Sequence, residues 1–322
     1  MSAADLEGTE ATGYANIALI KYMGKRDPQR NEACNPSLSY TLPHLRTTVV
    51  IGPSAESSDR WRPLQREGNE ATRLTAQARD RFLRYARDLC DAWGYRRPIV
   101  IQSASNFPAD AGIASSASSF SALTKALASF LRRRETTEEL ARLSRAASGS
   151  SCRSFFAPWC VWDGDRIVAL DFPLAPLLHM VVIVDARRKG VSSSDAHRRV
   201  LTSPEFAGRP DRARARMEAL THALERCDWP AARAISSAEY IDMHTLFHTS
   251  DPPFRYHTSD SERVVHDCEE LWRSHGDGPI VTMDAGPNVH LLFREDQRAM
   301  ASRTRERFAR SYRIVASDLD AA

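Results

Sequence analysis

Residues 108–117 read PADAGIASSA, a run of Ala, Gly and Ser carrying one proline and one aspartate. A short apolar stretch at 98–102 leads into it and reads as a strand. After it Ile113, Ala117, Phe120, Leu123, Leu127 and Phe130 recur at helical spacing. The predicted order is therefore strand, small-residue loop, helix. Such a loop leaves several backbone N–H groups without intrahelical partners, at the positive end of the helix dipole, and makes an anion site. Gly112 allows close backbone approach, and Ser115 and Ser116 add hydroxyl donors. The stretch matches neither the GxxxxGK[ST] loop nor the dinucleotide GxGxxG pattern. Taken alone, a run of small residues fits close helix packing equally well.

Working outward, further strands are expected at 47–51, 166–170, 180–184, 280–283, 290–293 and 312–316, short runs mostly rich in Val and Ile. Helices are expected at 74–93, 115–131, 137–147, 211–226, 230–247, 261–274 and 297–310. Strands and helices mix without strict alternation, which predicts an α+β fold. The polar stretch 185–195 (DARRKGVSSSD) follows a strongly apolar strand, and a boundary between two lobes, 1–186 and 187–322, is placed there.

The 322 residues suit one large domain or two ordinary ones sharing a cleft. Hydrophobic residues make up 42% and charged residues 26%, the profile of a globular protein. With 44 basic and 41 acidic residues the chain lacks the basic footprint of a nucleic-acid binder. No apolar run approaches the ~18 residues of a membrane span, and the acidic start is unlike a secretory signal. A cytoplasmic protein is expected. The six cysteines show no Cys-x-x-Cys spacing and no zinc pattern, so they read as free thiols. Among the 44 basic residues only Lys21, Lys25, Lys125 and Lys189 are lysine. A coding bias that converts indifferent lysines to arginine leaves the survivors as candidates for work that needs a compact point charge.

Two of those lysines fall in one motif, residues 15–27 (ANIALIKYMGKRD), where Asn16 precedes an apolar stretch and Tyr22 adds a ring and a hydroxyl. Residues 148–154 (SGSSCRS) follow the helix 137–147 at a glycine-containing break. Hydroxyls and the Arg153 fork there suit a carboxylate or phosphate, although a helix C-cap at Gly149 accounts for the pattern equally well. Residues 282–288 (TMDAGPN) place Asp284 at a strand end in a Gly-Pro turn, where a tight capped turn is the simpler explanation for the motif alone. Residues 187–194 (RRKGVSSS) again combine lysine and serines, in what alone reads as a solvated linker. His244 and His248 have i, i+4 spacing, but there is no HExxH glutamate and no evident third ligand, so a helix-surface or packing role is expected.

In this order the segments resemble the GHMP kinase superfamily and, within it, the diphosphomevalonate decarboxylase family. Residues 15–27 are similar to its ANIAxxKYWGKRD segment, 106–117 (NFPADAGIASSA) to its phosphate loop, 148–154 to its GSGSxCRS element and 281–288 to its DAGPN element. The resemblance extends over nearly the whole chain. It implies a ribosomal-S5-domain-2-like N-terminal lobe carrying the phosphate loop, a ferredoxin-like C-terminal lobe with the active site between them, ATP and Mg2+ as cofactors, and a homodimer. The implied reaction converts (R)-5-diphosphomevalonate and ATP to isopentenyl diphosphate, ADP, phosphate and CO2, in the mevalonate pathway of isoprenoid biosynthesis.

The resemblance also assigns roles. Asp284 would take or orient the proton of the 3-hydroxyl, Arg153 would hold the substrate carboxylate with Asn16, and Lys21 would shape the field beside Asp284. Tyr22, Lys25, Ser148, Ser150 and Ser193 match substrate-binding positions. Ala111, Gly112, Ala114, Ser115 and Ser116 match ATP-binding ones. Mg2+ would be held mainly by the ATP phosphates, with Ser116 or Asp110 as candidate side chains. The chain departs from the pattern in four places: Met23 replaces a tryptophan, Ala147 a glycine and Ser194 an arginine, and Asp110 puts a carboxylate in the phosphate loop. Alternatives on the same fold are a phosphomevalonate decarboxylase and a mevalonate 3-kinase. A non-catalytic metabolite-binding homologue is the alternative of a different class, and the joint presence of Asp284, Arg153 and the phosphate loop argues against it.

Overall fold

The computed structural model describes residues 8–66, 74–107, 115–174, 176–186 and 190–319. In chain order the elements are β1 (Thr9–Ile20), β2 (Lys25–Asp27), β3 (Glu32–Ala33), β4 (Ser37–Pro53), β5 (Arg60–Pro63), α1 (Ala76–Ala92), β6 (Ile99–Ser105), α2 (Ser115–Phe130), α3 (Thr137–Ala147), β7 (Trp159–Asp163), β8 (Arg166–Leu170), β9 (Leu177–Ile183), α4 (Ser193–Arg199), α5 (Arg209–Glu225), α6 (Trp229–Thr249), α7 (Ser259–His275), β10 (Ile280–Met283), β11 (Val289–Arg294), α8 (Arg298–Ala309) and β12 (Arg313–Ala316). Local chemistry sets many of the ends. Thr136 and Glu139 close a reciprocal capping box at the start of α3, and Thr258 caps α7. Gly276 ends α7 at φ 65°, a left-handed conformation that glycine adopts without a Cβ clash.

The chain packs as two compact units made of interleaved stretches. The first contains the described residues of Met1–Asn16, Leu45–Ala109 and Ala114–Phe155. Here the second half of β4 pairs antiparallel with β6, from Thr47↔Ser105 to Pro53↔Ile99, and β5 pairs parallel with β6. Val49, Ile51, Ile99 and Ile101 bury one face of this sheet against Phe82, Tyr85 and Leu89 of α1 and Phe120, Leu123 and Leu127 of α2. α2 is buried at Ser118, Ser121 and Thr124 too, and these hydroxyls are satisfied internally. Ser118 shares a hydrogen bond of 2.7 Å with Thr47, and Thr124 donates to the Phe120 carbonyl at 2.8 Å. β1 approaches α2 so closely that a Cβ on Gly13 would lie 2.2 Å from the Ser118 carbonyl oxygen. The small residues after the loop thus serve close packing as well as any anion.

The second unit holds the described residues of Ile17–His44 and Phe156–Ala322. Its four-stranded antiparallel sheet has the order β10-β11-β9-β12, with Thr282↔His290 and His290↔Val181 in register. One face carries Val281, Met283, Val289, Leu291, Phe293, Met180 and Val182, packed on Tyr240 of α6, Val264 and Cys268 of α7 and Phe308 of α8. Two-residue alternation puts Thr282, His290 and His179 on the opposite face, where all three are buried. His179 joins His290 and His44 in a row, each ring-nitrogen pair 3.0 Å apart. In the same unit the first half of β4 pairs with β7, which pairs with β8.

The structure has the expected α+β class. The strands 166–170 and 280–283 and the helix 137–147 occur with the expected ends. β7 and the first half of β1 were not expected. TEATGY and WCVWD contain no Val- and Ile-rich run, although their Thr, Tyr, Val and Trp residues favour β structure and both stretches pair in a sheet. α4 has only seven residues, too few for a periodic signal.

The histidine row predicts a pH dependence. Burial lowers His44 to about 4, and it lowers His179 well below the usual range, with His44 and His290 adding repulsion. Both folded-state values lie below the unfolded value of about 6.5, so the unfolded chain takes up protons first as pH falls. The stability held by neutral histidines is complete above about pH 6.5 and is lost towards pH 4. The thermal midpoint is expected to fall over this window, and His44→Gln to flatten the slope. Equal slopes for the two proteins would contradict the assignment.

Candidate active site

The first unit holds Asn16, Arg153, Ser115, Ser116, Ser148 and Ser150. The polypeptide leaves α3 into a 3-10 turn, Gly149–Phe155, and Ser151 bonds to the Ser144 hydroxyl at 2.6 Å, pinning that turn to the helix. Arg153, on the same turn, is thereby buried and aimed at β1. Its Nε and Nη2 donate to Asn16 Oδ1 at 3.2 and 3.1 Å. Asn16 Nδ2 donates in turn to the Ser150 carbonyl at 3.1 Å and to Ser154 Oγ at 2.8 Å. The amide is thus oriented at both ends, and the guanidinium with it. Ser116, in the first turn of α2, accepts a hydrogen bond of 3.2 Å from Ser148. Ser115 opens the same helix. Asp110, Ala111, Gly112 and Ala114 lie outside the described residues.

The second unit gathers Lys21 and Asp284. Lys21 follows the last residue of β1 and is 2% exposed, and its Nζ lies 2.8 Å from Asp284 Oδ1. Asp284 is 29% exposed, so the buried cation faces a carboxylate that solvent or a ligand can reach. The turn holding Asp284 is tied at several points. Gly286 N–H donates to the Asp284 carbonyl at 2.8 Å, Ser261 Oγ to the Pro287 carbonyl at 2.6 Å, and Asn288 Oδ1 accepts from Val184 N–H at 3.0 Å. His244 Nε2 lies 3.2 Å from the Asp284 carbonyl and must carry the proton, since a carbonyl only accepts. Burial, and then His257 stacked 4.2 Å away, keep this imidazole neutral well below the usual range. His244 packs against Phe247, Tyr256 and His257, which is the packing role expected of it.

Tyr22 stacks beside His197 at 4.2 Å and Trp162 at 4.8 Å. His197 Nδ1 accepts from Gly24 N–H at 3.1 Å, and Gly24 has φ +84° with the Phe206 ring 2.5 Å from where a Cβ would be. Only glycine fits that corner, which turns the chain from Lys21 towards Lys25. Met23 is buried with Met243, Leu246, Phe247, Tyr256 and Ala285, so a flexible thioether fills the place of the tryptophan. Lys25 is half-buried at the start of β2, and Ser193 is exposed as the first residue of α4. Lys189 lies outside the described residues. Lys125, to which the sequence assigned no role, is on α2. Its Nζ donates to the Ser154 carbonyl at 3.4 Å and sits 4.8 Å over the Phe155 ring, and burial lowers its pKa. Its membership in the set of four lysines was the only signal.

The second unit thus holds a buried lysine paired with a partly exposed carboxylate, and the first an arginine fixed by an asparagine, residue types that suit group transfer on an anion. Two family models cover the chain: residues 13–167 match the diphosphomevalonate decarboxylase-like N-terminal domain, and residues 179–316 the mevalonate 5-diphosphate decarboxylase C-terminal domain. The diphosphomevalonate decarboxylase of Saccharomyces cerevisiae is 30% identical over 95% of this chain and 81% of its own length, and the human one is 30% identical over 90% and 78%. The crystal structure of a mevalonate diphosphate decarboxylase from Legionella pneumophila superposes with TM-score 0.88 at 42% identity, covering 96% of this chain and all of that one. The structure of MDDEF in complex with MVAPP, AMPPCP and magnesium superposes at 0.85 with 27% identity, over 97% and 96% of the two chains. The chain belongs to the diphosphomevalonate decarboxylase family of GHMP kinase fold.

Lys21→Arg is expected to lower turnover about 100-fold or more, because the larger planar fork cannot occupy a buried point-charge site at the same geometry. The measurement is steady-state ADP release at unchanged thermal midpoint. A variant as active as the wild type would show that the site accepts any cation.

Proposed function

We propose that the chain catalyses the ATP-dependent decarboxylation of (R)-5-diphosphomevalonate to isopentenyl diphosphate, with release of ADP, phosphate and CO2. The observation that carries the reading is the 2.8 Å Lys21–Asp284 pair, with Asp284 opening the DAGPN turn after β10, in a chain of this family.

The substrate is a β-hydroxy acid whose tertiary hydroxide is a poor leaving group. ATP with Mg2+ supplies the phosphoryl group that converts the 3-hydroxyl into a good one. In the proposal Asp284 takes or orients the hydroxyl proton, and its partly exposed carboxylate suits that contact. Lys21 holds the carboxylate in place and its positive charge favours the anionic forms that develop beside it. Arg153, steadied by Asn16, binds the substrate carboxylate and orients it for loss as CO2 while positive charge grows at C3. Tyr22, Lys25, Ser148, Ser150 and Ser193 bind the acid and diphosphate ends. Ser115 and Ser116 bind nucleotide phosphates together with Ala111, Gly112 and Ala114. The fit is supported by the start of α2, where two hydroxyls and the helix dipole favour an anion.

Two lobes, 1–186 and 187–322, a cytoplasmic location and a homodimer with no nucleic-acid partner complete the reading. Balanced charge supports the absence of a nucleic-acid partner, and among the described residues no helix is long and apolar enough to cross a membrane.

Asp284→Ala is expected to abolish both ADP and CO2 release with 5-diphosphomevalonate while ATP still binds, measured by a coupled assay and by nucleotide titration. Wild-type CO2 release from that variant would overturn the mechanism.

A further inference from the structure

Lys21 lies one residue beyond β1, and side chains supply hydrogen bonds to both of its peptide groups. Its N–H donates to Glu239 Oε1 at 2.8 Å. Its carbonyl accepts from Arg209 Nη2 at 2.9 Å and from Asn35 Nδ2 at 2.8 Å. Glu239 and Arg209 are each 0% exposed and pair with one another, Nη1 donating to Oε2 at 2.9 Å and Nη2 to Oε1. One buried ion pair therefore grips the backbone on both sides of the Lys21 Cα.

A buried ion pair of this kind adds little stability over apolar residues of the same volume, since removing both charges from water offsets their attraction. Its stabilising work in the bundle is also duplicated. Asp242, one turn along α6 from Glu239, accepts from Arg209 at 2.8 Å, Arg212 at 2.8 Å and Arg216 at 2.7 Å, and these three arginines line one face of α5. Burial pushes Asp242 up, but the three arginines outweigh it and hold its pKa at about 2. Asp242 thus ties α5 to α6 without touching Lys21. Glu239 also accepts from Arg216 at 3.1 Å, so what sets Glu239 and Arg209 apart from Asp242 is the contact with the Lys21 peptides.

We infer that the Arg209–Glu239 pair is a positioning device for the Lys21 ammonium, acting on turnover through the lysine backbone without touching the substrate. The inference rests on the proposed roles of Lys21 and Asp284. Fixing both peptide planes sets the Cα–Cβ direction, and 2% exposure confines the rest of a side chain that would otherwise rotate about four bonds. The ammonium is then held 2.8 Å from Asp284 Oδ1 by rigid groups of the fold.

The test compares Glu239→Gln with Asp242→Asn. Each removes one negative charge from the same network, and only the first touches Lys21. Glu239→Gln is expected to lower kcat about tenfold with the ATP KM within about twofold, and Asp242→Asn to lower kcat less at a comparable loss of thermal midpoint. Equal kcat losses at matched stability would reduce the pair to a structural tie and overturn the inference. The double variant Arg209→Met/Glu239→Leu replaces the pair by apolar volume. It is expected to stay folded and to lose about 100-fold in kcat, and full kcat in the folded variant would equally overturn the inference. Asp284→Ala measured alongside separates two failures. If it abolishes turnover while the Glu239 and Arg209 variants do not, only the positioning role fails. If it retains turnover, the reading of the site fails with it.

Discussion

The salt bridge between Lys21 and Asp284 is the constraint on which the second unit's polar interior depends. A lysine at 2% exposure is tolerated only with a counter-charge at hydrogen-bond distance, and Asp284 is that charge. Holding it there requires the β10–β11 turn to stay in one conformation, which His244, Ser261 and Asn288 secure from α6, α7 and the turn itself. Holding the lysine requires the corner at Gly24 and the clamp on its peptides. Two loops without regular structure are in this way given the rigidity of the helices behind them. Electrostatic catalysis demands that rigidity, because a charge that reorganises during reaction loses most of its advantage.

The first unit solves a complementary problem with neutral groups. Asn16 orients Arg153 by accepting from two of its nitrogens while its own amide is satisfied by Ser150 and Ser154. An asparagine does this without itself adding a negative charge beside the guanidinium. In the proposed reading Arg153 binds the substrate acid that leaves as CO2, and a carboxylate at position 16 would compete with that acid for the same fork.

Much of this was readable from residue types and spacing. DAGPN between two apolar strands located Asp284 at a strand end, and the scarcity of lysine singled out Lys21 before any geometry was known. The helix 115–131 followed directly from its periodic apolar residues, and the structure gives Ser115–Phe130. Other features left no local mark. Arg209 and Glu239 look like ordinary charges on helix faces in an arginine-rich chain. Their burial is a property of how α5, α6 and the end of β1 meet, over separations of 188 and 218 residues from Lys21. The histidine row is similarly assembled from β4, β9 and β11, where each histidine alone would pass for a sheet residue. Long-range polar networks carry no periodicity, so sequence patterns that reveal helices and strands do not reveal them.

The substitutions relative to the family pattern are informative about tolerance. Met23 fills an apolar cluster, whereas Gly24 beside it has no substitute because both its φ and the Phe206 ring forbid a side chain. The account as a whole turns on phosphorylation that serves loss of CO2 from a substrate with a diphosphate tail. An assay that follows ADP and CO2 together, with mevalonate, its 5-phosphate and its 5-diphosphate offered in turn, measures that claim most directly. The account predicts equimolar ADP and CO2, with the 5-diphosphate having the highest kcat/KM. ADP without CO2, or a preference for the monophosphate or for mevalonate itself, would contradict it.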